Sequence, residues 1–448
     1  MPPCFVKKRN QQRRDEQMGN TFRFLLKQHI GVPCTPVVKE GDKVKRGMLI
    51  AKPLDNQLGA NIHTSVSGTV TQVNEQAIEI AEEGTDYKTY EPLTGETVSE
   101  LVKEAGIVGL GGAGFPTSVK LNTKLTKDGV VIINAAECEP ILSHNMKRIQ
   151  VSSEEIVRGL EYAMEALEVT RGMIAIKEKH KDEVAMLEKA CKEKKIKIVL
   201  LEDLYPMGEE RAIVREALHK LLPVTALPSE ADAVVINVET AYRIKEAVED
   251  KKPLIDKDLT VAGKLKGSKL IQTCLDVPIG TRVETIFEQA GGLREEYGEL
   301  IMGGPFTGKR TSLNDYVVKT TGGLLATESF LHGPKKLGLL VCACGANKDR
   351  LTELAESMGS EVVDIQYCKQ AHEVKGTFKC ENPGRCPGQV AKVMALKKAG
   401  AEAVLISNCT DCSNTVMSCA PALNLPVYHC TDGALRAVNM RLIRKHVI

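Results

Sequence analysis

The sequence predicts an α/β multidomain protein, and three observations predict it. At 448 residues the chain is too long for one ordinary domain. From about residue 98 short apolar runs alternate with amphipathic stretches, the rhythm of βαβ units around a mostly parallel sheet. Nine of the fourteen cysteines fall between Cys342 and Cys430, which marks off a last domain with chemistry of its own.

Composition bounds the possible functions. Hydrophobic residues make up 43% of the chain and charged residues 26%, which are globular values. A formal net charge of +2 gives no general case for nucleic acid or an acidic membrane surface as partner. The first residues are locally basic (Lys7, Lys8, Arg9, Arg13, Arg14) but lack the apolar core of a signal peptide, so they read as a solvated arm. No apolar stretch approaches roughly eighteen residues, so no transmembrane segment is expected and the chain reads as cytoplasmic. Fourteen cysteines without a secretion signal then point to redox or metal chemistry rather than disulfide stapling.

The N-terminal domain is assigned to residues 1–97. Within it, 29–80 reads as short strands with turn signals; Met48 with Ile50, and Ile78 with Ile80, keep the period of two of half-buried strands. The pattern GDKVKRGMLIA followed by SVSGTV resembles the biotinyl/lipoyl-type barrel-sandwich hybrid. Where carrier versions hold a lysine at the hairpin tip, this chain has Gln57, whose amide has no nucleophilic amine to acylate. The domain is therefore expected to be a lipoyl-like scaffold and not a carrier.

Residues 98–256 are expected to form a Rossmann-like α/β domain. Its segment 152–168 carries Ser152 and Glu155 in capping-box spacing and an apolar stripe of Ile156, Leu160, Ala163 and Leu167. Residues 257–305 have the look of a β-grasp, SLBB-like unit, 306–335 of a connector, and 336–448 of a parallel α/β domain rich in cysteine.

The segment GIVGLGGAGFPTSVKL (106–121) follows a polar helix and precedes the apolar run VVIINAA. Gly109, Gly111, Gly112 and Gly114 carry no Cβ, so backbone amides there can approach a phosphate at a helix N-terminus; Lys120 would add a point charge. A glycine cluster alone is equally a tight loop with no ligand. Three further segments change the balance: INAAECEP (133–140), YPMGEERAI (205–213) and INVETA (236–241). With the glycine loop they resemble, in order and spacing, the flavin and NADH site of the complex I flavoprotein and of its relative in the Rnf complex, the RnfC-type flavoprotein. The resemblance covers roughly residues 25–330, and the barrel-sandwich and β-grasp units match the Rnf branch.

That resemblance implies that Gly111, Gly112, Gly114 and Lys120 cradle the phosphate of FMN. It implies that Asn134 bonds the flavin ring or ribityl chain, with Asn237 and Thr240 at the ring or phosphate edge. Glu137, Glu139, Glu209 and Glu210 would line the nicotinamide side, where carboxylates repel the extra phosphate of NADPH. The chain departs from the family at Ala136, where an aspartate is usual, and at Met146 and Lys147, which replace an Asp-Arg pair.

The Rnf proteins carry two CxxCxxCxxxCP signatures for [4Fe–4S] clusters, and this sequence has none. From VVKTTGGLLATES (317–329) to the C-terminus it resembles instead the proline reductase-associated electron transfer proteins of amino-acid-fermenting anaerobes. That resemblance implies D-proline reductase as the partner that receives NADH electrons.

The residues themselves support redox work. Apolar strands at 337–341, 361–366, 401–407 and 425–429 each end within two residues of a cysteine: Cys342 and Cys344, Cys368, Cys409 and Cys412, and Cys430. In an open parallel sheet such loops share one edge. Two chemistries fit. Cys409 and Cys412 would form a dithiol at a helix N-terminus, where thiolate is favoured, or four among Cys342, Cys344, Cys380, Cys386, Cys409 and Cys412 would hold an iron–sulfur cluster. Cys191 and Cys274 read as core thiols. The rival functions are a flavin reductase for another acceptor such as cobalamin, and a non-catalytic assembly module that kept the fold; oligomeric state is left open.

Overall fold

The computed structural model describes residues 20–443 apart from 85, 408 and 409, and does not describe the side chains of 410–414. The basic N-terminal arm and the thiols of Cys409 and Cys412 therefore lie outside the described residues. Among the described residues no helix is long and apolar enough to cross a membrane.

The N-terminal domain is two small antiparallel sheets. One runs Thr21–Leu25, Ala77–Glu82, Gly68–Val73, Lys43–Val44; the other Thr35–Pro36, Leu49–Lys52, Ile62–His63. The first strand begins ahead of the expected 29–80 span. It belongs there because Phe22 and Phe24 face Ile80 and Ile78 across the ladder, and all four are buried. Gln57 is exposed in the turn between Leu49–Lys52 and Ile62–His63.

The next domain has four parallel strands ordered Ile196–Leu201, Arg171–Lys177, Val130–Ala135, Ala233–Asn237. Chain order reverses between Val130–Ala135 and Ala233–Asn237, which is the switch point where open α/β sheets bind ligands. The helix expected at 152–168 is part of a longer one, His144–Ala166. Ser152 is non-helical inside it (φ −148°, ψ 36°): two helices meet there at a kink, and the Ser152/Glu155 signal marks the start of the second.

The third sheet corrects the expected boundary at 305. Its strands run Ile271–Pro278, Asp256–Gly263, Gly323–Ala326, Leu300–Met302, Lys309–Thr311. Gly323–Ala326, assigned from sequence to a connector, lies between Asp256–Gly263 and Leu300–Met302. Its four residues are all buried, and without it the two neighbours would expose unpaired backbone.

This sheet is joined to the flavin-type domain by buried charge. Arg148 holds Asp258 through two bonds of 2.6 and 2.7 Å and reaches Asp276 at 2.8 Å; Arg243 reaches Asp258, Asp276 and Glu246. Arg46 of the first domain closes on Asp256 at 2.7 Å. Desolvation opposes the charge on Asp258, but its two arginines outweigh it and hold the carboxyl far below the usual range.

The last domain is a parallel sheet ordered Glu361–Tyr367, Lys336–Val341, Ala403–Ile406, Val427–His429, with its own reversal between Lys336–Val341 and Ala403–Ile406. An unexpected hairpin, Ala371–Val374 with Thr377–Cys380, leaves the sheet and leans on the flavin-type domain.

Candidate flavin and thiol site

Asn134 and Asn237 end the two strands that flank the switch point, and they are register partners across it. Each side chain first serves the backbone. Asn134 Nδ2 donates to Gly208 O at 2.7 Å, and Asn237 Oδ1 accepts from Glu239 N at 2.9 Å, capping the helix Val238–Glu249. The glycine loop lies over this pair. Gly109 N bonds Phe115 O (2.9 Å) at its neck, and Leu110 N donates to Thr240 Oγ1 (3.1 Å). The amides of Gly111, Gly112 and Ala113 donate to no backbone carbonyl among the described residues. A Cβ on Gly111 would stand 2.4 Å from Asn237 Nδ2, whereas one on Gly112 would meet nothing within 4 Å.

That open space is a cavity of about 1110 Å³, enough for a dinucleotide-sized ligand. Of the residues singled out from sequence, Gly111, Gly112, Asn134, Glu137, Glu139, Glu209 and Asn237 line it. So do residues of the third sheet and, from the last domain, Cys344, Phe378 and Cys380. The flavin-type domain and the cysteine domain thus share one cavity.

Five expected residues lie outside the lining: Lys120, Glu210, Thr240, Gly109 and Gly114. Lys120 donates to Glu210 at 2.6 Å and to Val235 O at 2.9 Å. The helix bearing Lys120 is only Thr117–Leu121, and it turns the amine toward the start of a helix distant in sequence, Glu210–Leu218. Thr240 is fully buried and fastens Leu110 from behind. Gly109 shapes the neck rather than the wall. Gly114 has φ +75° and sits against Thr320 and His29, where a side chain would be strained.

The carboxylates differ in role. Glu209 caps its own helix through Arg211 N and Ala212 N (2.9 and 3.1 Å). Glu139 accepts from Phe306 N, Thr307 N and Thr307 Oγ1 (2.8, 2.9 and 2.6 Å), so it anchors the 306–307 loop. Burial outweighs those bonds and pushes its carboxyl up to about 7. Glu137, with φ +36°, accepts weakly from Asn145 N at 3.3 Å.

Other wall residues carried less signal. Asn145 is buried, and its Oδ1 has no partner. His144 beside it is pushed down to about 4, chiefly by burial. Cys138 accepts from Gly208 N at 2.8 Å and is pushed up to about 11, again by burial. Tyr205 stacks on Phe306 (centroids 3.8 Å apart, 12° between planes) and donates to Cys344 O at 2.5 Å. Tyr205 and Arg211 lie inside the YPMGEERAI motif, so that motif reaches the cysteines as well as the cavity.

The sulfurs fall into two groups. Cys344 interacts with both Cys342 and Cys380; Cys368 and Cys386 share the Gln389 amide at 3.0 and 3.6 Å. Cys342 and Cys386 do not line the cavity. Among the described residues no three Cys, His, Asp or Glu side chains form a metal-holding group.

A wall without Cβ atoms, amides that bond no carbonyl, an unpartnered Asn145 oxygen and a large cavity at a switch point fit a flavin nucleotide. Comparison with known proteins agrees. Residues 102–246 match the family described as the Nuo51 FMN-binding domain, and 6–87 the one described as the RnfC barrel sandwich hybrid domain. Fold and site define an FMN-binding oxidoreductase.

Over 317 residues the chain is 35% identical to the RnfC-type protein of the Na(+)-translocating ferredoxin:NAD(+) oxidoreductase complex of Acetobacterium woodii, covering 66% of this chain and 71% of that one. It is 33% identical over 338 residues to its counterpart in the proton-translocating ferredoxin:NAD(+) oxidoreductase complex of Clostridium ljungdahlii (71% and 73% covered). It is 38% identical over 231 residues to the cobalamin reductase PduS of Citrobacter freundii (51% and 49%). The chain belongs to the RnfC family of ferredoxin:NAD(+) oxidoreductase complexes.

Proposed function

We propose that this chain takes hydride from NADH onto non-covalently held FMN and passes the electrons to its C-terminal cysteines and on to a partner reductase. The observation that carries the reading is one cavity whose wall includes both Gly111 and Gly112 of the glycine loop and Cys344 and Cys380 of the cysteine domain. When bound, FMN supplies reversible uptake of a hydride and release of its electrons.

The chain's own residues do the rest. Amides of 111–113 bind the phosphate; Asn145 Oδ1 accepts a bond from the ligand. Glu137 and Glu209 disfavour the added phosphate of NADPH. Glu139, titrating near neutrality, exchanges a proton at the cavity wall. The Tyr205–Phe306 stack keeps water from the path toward Cys344.

The test is anaerobic reconstitution with FMN. NADH should bleach the bound flavin; a chain that binds no FMN, or whose bound flavin ignores NADH, would refute the reading. The partner is proposed to be D-proline reductase, supported by the likeness of residues 317–448 to proline reductase-associated proteins. Reduction of a proline reductase disulfide, of cob(II)alamin and of ferredoxin by the NADH-reduced chain should favour the first by at least tenfold. Preference for cobalamin would replace that partner with the one named in the Citrobacter relative.

A further inference from the structure

Of the cysteines in the described residues, only Cys138, Cys344 and Cys380 line the cavity that holds the glycine loop. The Cys138 sulfur is taken by Gly208 N, while the Cys344 thiol is within hydrogen-bonding reach of two others, Cys342 and Cys380, of which only Cys380 also lines the cavity. Cys344 follows the strand Lys336–Val341 at the domain's reversal of chain order, and Cys380 ends the hairpin strand Thr377–Cys380. Both are gripped from the flavin-type domain: Tyr205 OH donates to the carbonyl of Cys344, and Arg211 to the carbonyl of Cys380. The neighbouring segment is tied down as well, Arg215 donating to Asn382 Oδ1 (2.5 Å) and Pro383 O (2.7 Å).

Cys342 is a poorer partner for Cys344. Its amide is fixed to Ser407 Oγ at 2.7 Å, it is 4% exposed, it does not line the cavity, and a bond between residues two apart is strained. We propose that Cys344 and Cys380 are the redox pair of this chain, a disulfide that opens with electrons arriving from the flavin and closes again by exchange with a disulfide of the partner. The inference rests on the flavin reading above and names its acceptor.

The chemistry balances. Opening the Cys344–Cys380 bond takes up two electrons and two protons and yields two thiols, the amount that one NADH and one proton supply. In delivery, a thiolate of the pair attacks a partner disulfide, one partner sulfur leaves as thiolate, and the second cysteine of the pair resolves the mixed disulfide. The pair is closed again, and the partner holds a dithiol.

The test begins with the full chain purified without flavin, oxidised with diamide and mapped by mass spectrometry under non-reducing conditions. A peptide joining Cys344 to Cys380 is expected; a Cys342–Cys344 or Cys138–Cys344 link, no link, or iron and acid-labile sulfide held at these cysteines would overturn the proposal. Oxidised chain given FMN and NADH should return both thiols to alkylation. It should consume one more NADH equivalent than its flavin alone takes up, and Cys380→Ser should lose that extra equivalent. Flavin that never bleaches refutes the flavin reading; flavin that bleaches while the link stays closed refutes only the pair.

Discussion

Gly112→Val separates binding from folding. A Cβ at position 112 would meet no protein atom within 4 Å, and the residue is not in the left-handed region, so the variant backbone is unstrained. Its effect on stability should stay within about 0.5 kcal/mol. The added methyls enter the cavity where the amides of 111–113 would meet the phosphate. Losing two hydrogen bonds to a charged group, each worth about 1.5 kcal/mol at the low end, amounts to about 3 kcal/mol, or roughly 150-fold in affinity. FMN titration of the flavin-free chain by fluorescence quenching, with thermal unfolding alongside, reads both quantities. An FMN Kd within threefold of the parent, at unchanged Tm, would remove the glycine loop from the site.

Gly111→Ala is expected to behave differently, because its Cβ would displace the Asn237 amide that caps Val238–Glu249; thermal unfolding should register a loss of about 1 kcal/mol. Arg148→Met strips Asp258 of its bidentate partner in a buried network and should cost about 3–5 kcal/mol in denaturant unfolding. His144 is held below its unfolded value, down to about 4. The unfolded chain therefore binds more protons between about pH 6.5 and 4, and the His144 contribution, present above that window, is lost as pH falls through it. A His144→Gln chain should show a shallower decline of Tm across that window. Arg211→Ala should free the segment at Cys380, which alkylation would detect as severalfold faster labelling of that thiol than in the parent.

What the sequence made legible was set by local rules. The parallel strands of each α/β sheet are mostly apolar runs alternating with helices, and Asn134, Asn237, Gly111 and Gly112 sit in motifs whose spacing implies one site. Lys120 was misleading because a lysine after a glycine loop says nothing about where a five-residue helix turns it; its partner Glu210 is ninety residues away. The strand Gly323–Ala326 was hidden for a similar reason: four residues carry little periodicity, and only the two neighbouring strands, distant in sequence, give it a place. Nothing local to Asp256, Lys257 and Asp258 signals their burial, because their compensating arginines and Glu239 come from other elements. The hairpin at 371–380 was missed as well, although it carries Cys380 to the cavity.

The two parallel sheets explain why a cofactor site and a thiol site meet without a long loop to join them. Each sheet reverses its chain order once, and each reversal opens a crevice at the carboxyl ends of the flanking strands. One crevice is edged by Asn134 and Asn237; beside the other, Cys342 follows its strand and bonds Ser407 from the neighbouring one. Had the domains packed by their helical faces, the crevices would open to solvent on separate sides. Polar contacts from one short segment join the two domains beside the cavity, Tyr205 to Cys344 O, Arg211 to Cys380 O, and Arg215 to Asn382 and Pro383, and apolar packing of Tyr205 and Phe306 against Leu337, Leu339 and Val341 adds to them. The Arg211 and Arg215 guanidinium groups are charged donors, so each of their bonds contributes about 1.5–3 kcal/mol, against about 1 kcal/mol for the neutral Tyr205 hydroxyl. These bonds fix the backbone of Cys344 and Cys380 at the cavity wall, which under the proposed pairing keeps both thiols within reach of the flavin site.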